Sequence, residues 1–261
     1  AKFDIPIEII PAPQLGSTAP ATLAGLLVQH NAEFLSGLVM SQLVNAGVPI
    51  IYSGSPSLMD MRYGTGCVGN IEVSMLSAAY AQIARVYGIP SGAYLGISDT
   101  KIIDAQTGLE SAIGLIVGTL ASINCITGPG MLGFENCQSF EKLVIDNEIC
   151  GMALRMMKDI NIIDETLAFD LMKKVGPGGH FLCEKHTLKW FQTEEFFSSP
   201  VIDKISKPKW ENMGAKDTLK RTREYVDKIL VEHHPKPLPS DQEKELDSLI
   251  TEILKRETRT P

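Results

Sequence analysis

Apolar residues fall into short runs, each followed by a polar, glycine- or proline-rich stretch and then by a longer apolar or amphipathic segment. Phe3 to Pro11 (FDIPIEIIP) reads as a strand stopped by Pro11, Pro13 and Gly16, and Thr22 to Val44 then gives roughly six turns of helix. Pro49 to Gly54 is a second strand, Ser55 to Gly69 its loop, and Asn70 to Tyr87 its helix, with Asn70 placed to cap it. Pro90 to Ile97 is a third strand, with a helix from Thr107 to Ser122. Cys125 to Leu132 is a fourth, with a helix from Ser139 to Met157 that Ser139 could cap. Strands that are apolar on both faces and alternate with helices predict an α/β fold with parallel strands covered by helices.

The loops decide between the two common parallel architectures. A doubly wound nucleotide-binding sheet would show GxGxxG after its first strand, and none occurs there. The expectation is therefore a TIM (β/α)8 barrel of which residues 1–157 supply about half, as the second half of a longer chain or one closing with another chain. Residues 158–261 form a C-terminal extension of a different character. It runs through a polar stretch, a short helix at Leu167 to Val175, and the glycine-rich turn Gly176-Pro-Gly-Gly-His-Phe-Leu182 leading to Glu184-Lys-His-Thr187. Aromatic residues then cluster at Trp190, Phe191, Phe196 and Phe197, and Lys204 to Asn212 carries lysines, prolines and Trp210. Two amphipathic helices follow, about 215–231 and 241–256, the last with Leu246, Leu249, Ile250, Ile253 and Leu254 on one face. Such an extension is expected to pack on the barrel or on a neighbouring subunit.

The formal charge is −7 and lysine and arginine are thinned through the first half, which leaves no basic surface for nucleic acid. Five cysteines without CxxC spacing argue against a disulfide framework and for a reducing, cytoplasmic setting. The apolar stretch Leu109 to Ile126 is interrupted by Ser111, Thr119, Ser122 and Asn124 and reads as a buried helix running into a strand, not as a membrane span.

Chemistry concentrates between Tyr94 and Glu110, where an apolar strand breaks into a segment carrying Asp99, Lys101, Asp104 and Gln106 before a long helix. In a barrel, such strand-end residues face the substrate; the alternative is an Asp-rich turn capping the helix near Thr107. Metal and nucleophile signals are weak. His180, Cys183, Glu184 and His186 lack a zinc spacing, no GxSxG elbow occurs, and Gly128-Pro-Gly130 lacks the lysine of a phosphate loop. What remains is aromatic and acidic: Tyr52, Tyr94, Phe134 and Glu135 at strand ends, with Asp60, Met61, Arg62 and Tyr63 in the second loop. Aromatic faces and carboxylates suit a cation without donatable protons, such as a quaternary ammonium group.

Taken together, Asn45-Ala-Gly-Val-Pro-Ile-Ile-Tyr-Ser-Gly54, Asp60-Met-Arg-Tyr-Gly-Thr-Gly66, Ser98-Asp-Thr-Lys101 with Asp104-Ala-Gln106 and Glu110, Glu141 to Glu148, and Gly178-Gly-His-Phe-Leu182 with His186-Thr187 resemble the trimethylamine methyltransferase family. The resemblance implies a TIM barrel that passes a methyl group from a methylated amine to the cobalt of a separate corrinoid protein. Founding members carry pyrrolysine in the loop after the third strand, around Leu95 to Ile97 here, where this sequence has ordinary residues. That departure implies the branch without pyrrolysine, whose substrates include glycine betaine, with trimethylamine as the alternative. Tyr52, Tyr94 and Phe134 would then cage the cation, Asp99 and Glu135 supply charge, and Gln106 and Gly96 complete the substrate site. The corrinoid cofactor would come with its partner protein, since this chain has no DxHxxG pattern. Self-association through the apolar C-terminal helix is expected as well. Two competing readings are a non-catalytic assembly module and a lysine-dependent aldolase or decarboxylase with Lys101 as its amine.

Overall fold

The computed structural model describes residues 1–195, 199 and 201–257. Its first part contains β1 (Ile7–Ile9), β2 (Gln14–Leu15), α1 (Leu23–Val44), β3 (Ile50–Tyr52), β4 (Ser57–Asp60), β5 (Thr65–Cys67) and α2 (Ile71–Tyr87). Next come β6 (Gly92–Ala93), α3 (Ala105–Leu120), β7 (Cys125–Ile126), β8 (Met131–Leu132), β9 (Cys137–Gln138) and α4 (Phe140–Met156). The fold is mixed α/β, mostly helical, with small sheets, none of them closed among the described residues.

Four of the strands, β1, β3, β6 and β7, run parallel in chain order. β1 pairs with β3, a parallel bridge joins Tyr52 to Ser91 at the start of β6, and β6 pairs with β7. Side chains alternate along these segments. Ile7, Ile9, Ile50, Tyr52, Ala93 and Leu95 turn toward the helices and join Phe34 of α1 and Tyr80, Ala81 and Ala84 of α2 in the principal core. Glu8, Ser53, Gly92 and Tyr94 therefore fall on the opposite face. The helices pack in sequence, α1 on α2, α2 on α3 and α3 on α4.

The strands are shorter than the apolar runs suggest. Pro90 to Ile97 reads as one strand, yet only Gly92 and Ala93 are paired to a neighbour as β6, and Gly96 turns the chain at φ +81°. Cys125 to Leu132 is also not one strand. It splits at Gly128-Pro-Gly130 into β7 and a separate antiparallel hairpin, β8–β9. The expected loop Ser55 to Gly69 contains a second hairpin, β4–β5, whose first strand pairs in parallel with β2.

Close approach explains the break at Gly128. A Cβ there would lie 2.2 Å from the Leu95 carbonyl oxygen, so two backbones touch where a side chain would stand. Gly128→Ala is expected to cost about 1–3 kcal/mol, because main chain must move to admit the methyl group. Gly108→Ala, in open space inside α3, is expected to gain roughly 0.5–1 kcal/mol by removing helix-interior glycine entropy. Urea midpoints of the two variants check both signs.

Helix starts follow local chemistry. Thr22 caps α1 by accepting from Gly25 N–H at 3.3 Å, and Ser139 caps α4 by accepting from Lys142 N–H at 3.2 Å. For α3 the cap is Asp104, so the Asp-rich turn does cap the helix near Thr107. The Asp104 carboxylate accepts from the Gln106 and Thr107 N–H groups, while Thr107 Oγ1 accepts from Asp104 N–H at 3.2 Å. Asn70 occupies the N-cap position of α2 without a side-chain capping bond.

The C-terminal part is helical: α5 (Asp164–Leu167), α6 (Phe169–Val175), α7 (Lys185–Glu194), α8 (Lys207–Asn212), α9 (Thr218–Glu232) and α10 (Ser240–Glu257). The single short helix expected at 167–175 is two, divided at Ala168 with φ +53°. Glu184 to Thr187 enters a helix carrying Trp190 and Phe191, and α9 packs on α4. Phe196 and Phe197 of the expected aromatic cluster lie outside the described residues. Leu246, Leu249, Ile250, Ile253 and Leu254 of α10 are all exposed. No helix among the described residues is long and apolar enough to cross a membrane.

Candidate functional site

Three loops meet at the carboxyl ends of the parallel strands: the one after β3, the one after β6 and the one after β7. Backbone bonds begin the convergence, with Ser98 N–H donating to Met131 O at 3.1 Å and Gly133 N–H to Thr100 O at 2.9 Å. Carboxylates complete it.

Asp99, 6 % exposed, accepts from Val68 N–H at 3.0 Å and Gly69 N–H at 3.1 Å, which ties the β6 loop to the start of α2. Burial raises its pKa above the usual aspartate range, an effect opposed by those two N–H donors. Glu110, one of the residues that carried the family resemblance but without an assigned role, binds the same loop from α3. Its Oε2 accepts from Ser98 Oγ at 2.6 Å and Asp99 N–H at 2.8 Å, and its Oε1 accepts from Gln106 Nε2 at 2.8 Å. Gln106 is thus brought next to the acid cluster, on its exposed side.

Lys101 donates to the Asp99 carbonyl at 2.9 Å and stands 4.0 Å from the centre of the Phe134 ring. That cation–π contact holds Phe134 beside Asp99. Phe134 and Glu135 are consecutive residues with positive φ, +61° and +69°, a costly backbone for side-chain-bearing residues. The turn carries Glu135 across to the β3 loop, where Ser55 Oγ donates to its carboxylate at 2.9 Å.

Gly96 is positioned from below by a pair that sequence reasoning passed over. Lys142 and Asp146 of α4 are both fully buried and form an ion pair. Lys142 Nζ donates to Gly96 O at 2.6 Å and to Ser111 Oγ at 2.9 Å, while Asp146 accepts from Gly130 N–H at 2.7 Å. Burial pulls the Lys142 pKa down and Asp146 opposes that pull. The available signal was a lysine and an aspartate four apart, one helical turn, flanked by Leu143, Val144 and Ile145.

Tyr52 does not join this group. Its ring is wholly buried in the helix-facing core, 3.8 Å from Phe34 and 5.7 Å from Tyr80, and its hydroxyl donates to Asn31 Oδ1 at 3.2 Å. The correction follows from alternation: Tyr52 shares a face with Ile50. Tyr94, half-buried, falls on the opposite face from the helices. Asp60, Arg62 and Tyr63 sit at the β4–β5 hairpin tip, where Arg62 holds the Asp60 carboxyl down at about 2. His186 bonds the Glu165 carbonyl, and among the described residues no three His, Cys, Asp or Glu side chains gather as a metal-binding group.

Residues 1–260 match the family model described as trimethylamine methyltransferase (MTTB). The chain belongs to the trimethylamine methyltransferase family. Among its relatives in that family are the glycine betaine methyltransferase of Desulfitobacterium hafniense strain Y51, 37% identical over 91% of this chain and 49% of the relative. The trimethylamine methyltransferases MttB of Methanosarcina barkeri and Methanosarcina thermophila are 37% and 38% identical over 96% and 95% of this chain, and 50% and 51% of their own length. The chain spans about half the length of the family members it matches, and these identities to glycine betaine and trimethylamine enzymes are nearly equal.

Proposed function

We propose that this chain is part of a methyltransferase that moves a methyl group from a quaternary amine of the glycine betaine type to the Co(I) of a corrinoid carried by a separate protein. One observation carries the reading: Asp99 and Lys101 of the β6 loop, Glu110 of α3, and Phe134 and Glu135 of the β8–β9 hairpin, tied to the β3 loop by Ser55, form one polar and aromatic mouth in a member of a methylated-amine methyltransferase family. The choice of a quaternary amine rests on the ordinary residues Leu95 to Ile97 where founding members carry pyrrolysine. Consecutive parallel strands in chain order support the reading of residues 1–157 as part of a (β/α)8 barrel, with 158–261 as an extension. Five free cysteines support a cytoplasmic setting, and the exposed apolar stripe of α10 supports self-association.

The chemistry follows from the charge on nitrogen. A quaternary amine already carries the positive charge that makes the neutral amine a leaving group, so no residue of this chain needs to activate it. The docked partner's corrinoid supplies a Co(I) nucleophile to take up the methyl group. The chain's own work is to draw in the cation, orient one methyl group toward the mouth and exclude water. Tyr94 and Phe134 serve as aromatic walls, Asp99 and Glu135 make the mouth negative, and Gln106 and Lys101 hold Asp99 and its neighbours in place.

The test is methyl transfer to Co(I) cobalamin by the full-length protein, offered glycine betaine, carnitine, proline betaine or trimethylamine. Transfer from a quaternary amine supports the proposal; transfer from trimethylamine alone replaces it with the tertiary-amine reading, and no transfer from any of them defeats it. A pH dependence accompanies it. Asp99 is neutral below its raised pKa and negative above, so affinity for glycine betaine is expected to rise several-fold as pH increases through the range just above the ordinary aspartate value of about 4. Calorimetric titrations of the wild type and Asp99→Asn check this, the variant showing a shallower profile across the same range.

A further inference from the structure

We propose that Glu8 and Ser53 form the floor of the amine pocket, with the Glu8 carboxylate as the counter-ion of the quaternary nitrogen. The inference rests on the methyltransferase reading and names residues outside the strand-end mouth. Glu8 Oε1 and Ser53 Oγ are both shielded from solvent and without a hydrogen-bond partner, and Ser53 is entirely buried. Neither atom is matched inside the fold, and two such groups meeting at one point mark a place for a ligand.

Their placement points to that partner. Both atoms crowd the side-chain position of Gly92, within 2.6 and 2.8 Å of where its Cβ would stand. Only glycine there lets the carboxylate and hydroxyl lie side by side. All three are on the sheet face opposite the helices, and Tyr94 follows Gly92 on the same face, nearer the carboxyl ends. An acid with a spare oxygen and a hydroxyl below, with an aromatic ring above, complement a cation that offers no N–H. Its N-methyl groups carry the positive charge outward, so a carboxylate and a ring attract it without a directed hydrogen bond.

The experiment compares glycine betaine with 3,3-dimethylbutanoate, the same shape with carbon in place of the charged nitrogen, binding to full-length protein by calorimetry. The wild type is expected to prefer the betaine strongly. Glu8→Gln, which keeps size and polarity, is expected to weaken betaine binding tenfold or more and leave the isostere nearly unchanged, while Glu8→Asp recovers part of the preference. Ser53→Ala, a smaller change, is expected to lower the preference severalfold and serves if Glu8→Gln does not fold. Betaine binding that survives both Glu8→Gln and Ser53→Ala, or parallel loss of both ligands, overturns the floor assignment and leaves the methyltransferase reading intact. A wild type that binds no quaternary amine overturns both.

Discussion

Lys142→Met is expected to destabilise the protein by about 3–5 kcal/mol, among the largest single-residue effects the fold offers. Both charges of the Lys142–Asp146 pair are out of water, and removing the lysine leaves the carboxylate with only Gly130 N–H to answer it. The same change strips Gly96 O of its ammonium donor. The double variant Lys142→Met/Asp146→Leu is expected to recover most of the lost stability, since no isolated charge remains buried. Its methyl transfer should stay low, because Gly96 and Gly130 have lost the groups that set their loops. Denaturant midpoints for the double-mutant cycle, read beside turnover, separate the two roles. A double variant as unstable as the single one would show that the pair itself stabilises the fold.

Acidification from about pH 7 to about pH 4 is expected to cost about 3 kcal/mol through His30 alone. His30 is wholly buried, stacked at 4.6 Å on Tyr80 and with Nδ1 3.3 Å from the Tyr52 hydroxyl. Burial lowers its pKa from 6.5 to about 4. The folded protein thus holds His30 neutral while the unfolded chain takes up a proton near pH 6.5. Its contribution is fully present above that value and is lost as pH falls toward 4, below which the loss levels off. His30→Phe removes the titration and keeps an aromatic ring in the core. The wild type should lose more stability than the variant over this interval; equal losses would place the acid sensitivity elsewhere.

The helices were legible because long apolar segments with polar starts admit few other arrangements, and Thr22 and Ser139 cap where their chemistry says they should. The β4–β5 hairpin was not. Ser57-Leu-Met-Asp60 has no alternation, and what holds it is the partner strand β2. Tyr52 was misplaced because a strand-end aromatic suggests a pocket, whereas its two-residue spacing from Ile50 puts it in the core. Asp99 and Gln106 stood out as polar residues after an apolar run, and the structure does bring them to one cluster. Glu8 was hidden because it matters through what it meets from distant segments, whereas Lys142 and Asp146 showed their one-turn spacing but not Gly96 and Gly130, the groups they meet.

The parallel strands contribute only two or three paired residues each, so the geometry of the mouth is kept by acids that clasp the main chain of neighbouring loops. Asp99 grips Val68 and Gly69, Glu110 grips Asp99, and Asp146 grips Gly130. The mouth is for that reason one mechanical part. On the proposed function, a ligand that tugs on Asp99 would pull on the start of α2 and the first turns of α3 together, and a partner protein settling on any one loop would be felt at the others.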